Sequence, residues 1–143
     1  MRGNSGTLVA GLVTGLLVAV PALAAPIEVG DVLASVNNGR VQDYRAGVLI
    51  QTLNTGLGGF TTGSTTDSAG NFYVTNFSVG NVTEFNSNGV FVQNIAAGGG
   101  NPESIVFAAD GTAYVGNAAQ NLIHILGSAS VVGPVTVGPR GTD

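Results

Sequence analysis

The 143-residue chain contains no cysteine, no tryptophan and no lysine, and charged residues make up only 8% of it. Without thiols there can be neither a disulfide framework nor a thiolate metal cluster. Its four cations are all arginines and the formal net charge is −4, so no basic face is available to neutralise phosphates, and nucleic-acid binding is excluded as a function class. With one histidine, His124, a centre of several imidazoles is impossible, and a Ser-His-Asp arrangement has a single candidate base. What the chain does have is 23 glycines, 44% hydrophobic residues and a mean hydropathy of +0.38.

Part of that hydropathy lies at the start. Arg2 precedes an apolar stretch, Leu8 to Val20, which Pro21 breaks ahead of Ala22-Leu23-Ala24. A short positive start, an apolar core and small residues before a cleavable bond make a secretory signal. The expected organisation is a signal peptide over residues 1–24, cut after Ala24. A membrane anchor needs about 20 apolar residues, more than this run supplies. The mature chain is therefore expected to have no membrane span and to be secreted, to a periplasm or the extracellular space.

The remainder repeats. Ser64 to Asn76 lies over Ile105 to Asn117 at an offset of 41, with Gly70 on Gly111, Tyr73 on Tyr114, Val74 on Val115 and Asn76 on Asn117. Further on, Val82 meets Ile123 and Phe85 meets Leu126. An earlier copy, Gly39 to Tyr44, lies over Gly80 to Phe85 at the same offset; one extra residue then sets Gly47 to Gln51 over Gly89 to Gln93. A period near 40 belongs to blade-type repeats.

Within one period, Ser64 to Thr66, Asn71 to Thr75, Asn81 to Phe85 and Val90 to Ile95 are short β-branched and aromatic runs separated by glycine-containing turns, the pattern of strands. Asn88-Gly89 predicts a tight hairpin with positive φ at both residues, and Asp110-Gly111 another. No part of the mature chain holds a 3.6-residue apolar period, so no helix is expected. The predicted fold is all-β: a partial β-propeller of four-stranded antiparallel blades over residues 25–129. Successive blades are expected at about 30–60, 61–100 and 101–132, with an irregular tail over 133–143. Strands such as Phe72-Tyr73-Val74, apolar on both sides, suit blades buried on both faces.

Gly63-x-x-x-Asp67-x-x-Gly70-Asn-Phe-Tyr73-Val74-x-Asn76, followed by Asn81-Val-x-x-Phe85 and Asn88-Gly89, resembles the repeat of NHL-type six-bladed propellers. Asn101-Pro102-Glu103 and Asp110-Gly111-x-x-Tyr114-Val115 are similar to blades of gluconolactonase-like and strictosidine-synthase-like propellers. Asn76 and Asn117 stand where the NHL pattern usually has aspartate. Between residues 30 and 126 there is room for two to three blades, whereas propellers close with roughly four to eight. The chain is therefore expected to be a fragment or to self-associate.

The resemblance implies two functions. One is a non-catalytic scaffold whose loops bind a protein or glycan partner. The other is part of a metal-dependent hydrolase or lyase that holds Ca²⁺ at the propeller centre through oxygens from several blades. Glu103 is the one candidate metal ligand. It stands beside Asn101, and the corresponding positions of the preceding blade, Thr62 and Phe60, are poor ligands. No catalytic residue and no bound cofactor are assigned. Asp67 and Asp110 are expected to cap turns, and His124 to be a surface or inter-blade residue. Thr55-Gly-Leu-Gly-Gly59 and Gly98-Gly-Gly100 precede no helix and are expected to connect blades rather than cradle phosphate. Asn76-Phe-Ser78 and Asn81-Val-Thr83 match the glycosylation acceptor pattern.

Overall fold

A computed structural model describes residues 24–119, 122–127 and 131–134. The expected signal, over residues 1–24, lies outside the described residues up to Ala24, as does the tail from 135. The described residues form strands and turns with no helix. They make three antiparallel sheets: β1 (Val32–Val36), β2 (Arg40–Arg45) and β3 (Val48–Asn54); β4 (Thr61–Thr66), β5 (Phe72–Asn76), β6 (Asn81–Phe85) and β7 (Phe91–Ala96); β8 (Pro102–Phe107), β9 (Ala113–Asn117), β10 (Leu122–Ile125) and β11 (Val131–Pro134). Strands that follow one another in the chain pair within each sheet. Β-branched and aromatic residues at alternate positions drive this, because they pack well on a pleated surface.

The turns that join strands reuse one device. At residues 67–71, 86–90 and 108–112 the first N–H donates to the last carbonyl, at 3.0, 2.9 and 2.9 Å. Inside each loop a glycine N–H donates back three residues, and Gly70, Gly89 and Gly111 have φ of 82°, 71° and 87°. This is a type I turn followed by one left-handed residue. The expectation of positive φ at both Asn88 and Gly89 therefore holds for Gly89 alone. The loop is one residue wider than a two-residue turn, so that β7 begins at Phe91, and Asn86 caps it, its Oδ1 accepting the N–H groups of Asn88 and Val90 at 3.0 Å each.

Gly89 has a second constraint. A Cβ built on it would lie 2.8 Å from Gln51 Oε1 and 3.1 Å from Ala25 O. Gly89→Val is expected to lower stability by about 2 kcal/mol or more, since a β-branched residue strains at positive φ. Thermal unfolding unchanged by the substitution would count against the turn geometry.

The middle sheet is covered on both sides. All five residues of β5 are buried, and alternation along the strand sends them to two separate cores. Phe72 and Val74, with Phe85, meet Val41 and Leu53 of the first sheet. Tyr73 and Val82 meet Ile105 and Val115 of the third, and the Tyr73 ring packs edge-on against Phe107 with centroids 4.9 Å apart. Fully burying each such aliphatic or aromatic side chain contributes roughly 1.5–3 kcal/mol. β4 also runs hard against β8: a Cβ on Gly63 would come within 2.7 Å of Ser104 Cα.

Candidate functional site

Glu103 is the second residue of β8 and is exposed. Its surroundings are engaged in holding the sheets together. Thr62 Oγ1 donates to Pro102 O at 3.1 Å and meets Thr75 Oγ1 at 2.7 Å. Asn101 Nδ2 donates to Phe77 O at 3.1 Å. Among the described residues no group of three or more His, Cys, Asp or Glu side chains converges. A Ca²⁺ ion takes about six to eight oxygens, and the described residues around Glu103 offer one exposed carboxylate, so they do not complete such a site by themselves.

Asp67 stands in the turn after β4. Its Oδ1 accepts the N–H groups of Ala69 and Asn71 at 2.9 Å each, and Oδ2 accepts from Asn71 Nδ2 and the Tyr73 hydroxyl. Partial burial pushes its carboxyl upward, but these four donors outweigh that and hold it below the ordinary carboxylate value. Asp110 Oδ1 accepts the Thr112 N–H at 2.9 Å. The residue at the Asp67 position of that loop is Ala108, so the same turn is capped from two residues later.

His124 is 4% exposed, in β10, and packs against the glycine run that joins β7 to β8: a Cβ on Gly98 would lie 2.8 Å from its Cε1. It is an inter-sheet residue. The Thr55–Gly59 loop joins β3 to β4, and no helix follows either glycine-rich loop. Asn117 reaches back into its connection, accepting the Asn101 N–H at 3.0 Å and donating to Gly99 O. Asn76 is fully buried and donates to the fully buried Thr83 hydroxyl at 2.7 Å. The acceptor pattern at Asn76 is therefore closed in the folded chain.

Three features went unread in the sequence. The first is an arginine clamp on the segment before β1. Arg45 donates to Asp31 Oδ1 at 2.8 Å and Oδ2 at 2.9 Å, to Pro26 O at 2.9 Å, and pairs with Glu28 at 2.8 Å. The Arg45 hydrogen bonds, then the Glu28 N–H, lower the Asp31 carboxyl to about 2. A carboxyl depressed in the folded state stabilises above its unfolded value and loses that contribution as it is protonated. The urea midpoint is thus expected to be flat down to about pH 5 and to fall between about pH 4 and 2, and Asp31→Asn to flatten the fall. An equally steep fall in that variant would refute the assignment.

The second is an acid–glutamine pair repeated in two sheets. Asp43 lies across from Gln51 and Glu84 across from Gln93, with Nε2 to carboxylate distances of 3.0 and 2.7 Å. Asp43 is fully buried, whereas Glu84 is half-buried and Gln93 exposed. Their recurrence, at offsets of 41 and 42, was the available signal.

The third is apolar outer strands. Val48, Leu49 and Ile50 on β3, and Val90 just before β7 with Phe91 and Val92 in it, are all exposed. β3 and β7 are the last strands of their sheets, so each leaves a row of backbone groups without a strand partner.

No protein-family model and no curated protein matches the chain. A solved structure does: the crystal structure at 1.35 Å of a protein of unknown function from Bacteroides caccae, with a TM-score of 0.55 and 19% identity over 84% of this chain. This chain covers 49% of that one, about half its length. The likeness shows a shared fold.

Proposed function

We propose that the chain is an exported, non-catalytic β-propeller scaffold of the NHL type that binds a protein partner along its outer strands. The three sheets follow one another with their first strands side by side, β4 against both β1 and β8, and each sheet beyond the first runs outward in chain order. That arrangement and the 41-residue repeat support propeller blades. Further blades, from sequence outside this chain or from other copies, would close the ring.

The observation that carries the binding reading is the exposure of Val90, Phe91 and Val92, at 48%, 47% and 46%. The middle sheet already has neighbours on both faces, so a missing blade does not explain why its outermost strand is bare. A repeated apolar triplet on unpaired strand edges is an aggregation hazard unless something covers it. A partner that adds a strand there satisfies the backbone groups and buries the side chains.

The test immobilises the exported chain and collects the secreted and envelope proteins it retains. Val90→Lys with Val92→Lys should weaken retention about tenfold or more, the loss of roughly 1.4 kcal/mol, at unchanged melting temperature. Undiminished retention, or calcium-dependent lactone hydrolysis by the purified chain, would overturn the proposal.

A further inference from the structure

We propose that the folded chain carries a binding site for its own processed α-ammonium, built by Gln51 and the buried carboxylate of Asp43 and entered by Ala25. The inference rests on export with cleavage after Ala24.

Asp43 sits in β2 with no solvent exposure. Its Oδ2 accepts from Gln51 Nε2, and its Oδ1 has no hydrogen-bond partner. A buried carboxylate short of partners is strongly disfavoured unless a cation compensates it. Arg45, two residues along the same strand, is committed to Asp31, Glu28 and Pro26 O. Arg45 therefore attracts Asp43 only at longer range and gives it no hydrogen bond, which leaves Oδ1 open to a second, closer cation from elsewhere.

Gln51 shows where. Its side-chain amide holds the backbone of Ala25 on both sides: Oε1 accepts the Ala25 N–H at 2.9 Å and Nε2 donates to Ala25 O at 2.7 Å. The same Nε2 donates to Asp43, so one amide joins Ala25 to the unsatisfied carboxylate. The residues that follow are fixed as well. Arg45 grips Pro26 O, Glu28 and Asp31, the Ile27 N–H donates to Ser87 O at 2.8 Å, and Ile27 packs on the first core.

Cleavage before Ala25 turns its single amide N–H into an ammonium with three donors. One keeps Gln51 Oε1; two are new, and the group gains the charge that Asp43 lacks. The second acid–glutamine pair is the internal comparison. Glu84 and Gln93 repeat the chemistry in a more open setting, Glu84 half-buried and Gln93 exposed, where water reaches the carboxylate and no cation is needed.

The absence of lysine makes the test specific, because the α-amine is the chain's sole primary amine. The full chain is exported from a bacterial host, its first residue sequenced, and the purified protein treated with an amine-acylating reagent, folded and in denaturant. At about pH 6.5, below the ordinary α-amine pKa, pairing that raises that pKa by one unit lowers the reactive fraction about tenfold, so the folded chain should label at least that much more slowly. Asp43→Asn should abolish the protection, while Glu84→Gln should keep it. Should Asp43→Asn fail to fold, parent chain acylated in denaturant and refolded gives a second reading: its melting temperature should fall by about 5 °C. Ala25 as first residue with an amine that labels equally fast in both states overturns the pairing alone. Any other first residue overturns the export reading and the pairing with it.

Discussion

Gly63→Val is expected to lower stability by about 3 kcal/mol, the upper end of what an overpacked interior costs, or more. Gly63 is in β4, and the added Cβ would meet backbone of β8, Ser104 Cα at 2.7 Å and the Glu103 carbonyl. A flexible side chain could swing away from such a contact; two strands pinned by their own ladders cannot. Relief would require the second and third sheets to separate, opening the core of Tyr73, Val82, Ile105 and Val115. Gly47→Asn is the comparison, since nothing lies within 4 Å of a Cβ there and asparagine tolerates its φ of 80°. Urea unfolding should show a large loss for the first and little for the second. Equal midpoints would mean that β4 and β8 are not closely apposed.

Much of the fold was legible because the repeat carries it. The offset of 41 placed Val41 over Val82, and both are fully buried in equivalent strands. Tight turns were legible from their glycines, although the width of the loop at Asn88-Gly89, closed by the Asn86 N–H on Val90 O, is a three-dimensional property. Sites fared differently. Glu103 drew notice as a carboxylate in a resembling motif, and it stands exposed, in no cluster of three or more acidic or imidazole side chains among the described residues. Asp43 drew none, since burial is not visible in a single residue's identity; only the matching Glu84, each opposite a glutamine, hints at it. The Arg45 clamp joins residues 14 or more apart in sequence, and no local pattern announces it.

Phe72→Ala is expected to cost about 3–5 kcal/mol and Ile105→Ala about 2–5 kcal/mol, the usual range for emptying a core position. Phe72 is 1% exposed with its ring 6.3 Å from that of Phe85, and Ile105 is 4% exposed on the other side of the middle sheet. The two substitutions strike different cores, yet β5 supplies side chains to both. In stacked repeats, stability is approximately a sum of unit and nearest-neighbour interface contributions, so weakening one interface either uncouples the array or lowers it as a whole. Because the interfaces here share a strand buried along its full length, Phe72→Ala should lower the whole array. The chain's three tyrosines report this directly, as Tyr44, Tyr73 and Tyr114 fall one to each sheet. With fluorotyrosine incorporated, all three fluorine signals should report one urea midpoint in the parent and one lower midpoint in Phe72→Ala. If Tyr44 instead unfolds ahead of Tyr73 and Tyr114 in that variant, the first sheet is held by its interface alone, and the shared strand does not make the three sheets a single cooperative unit.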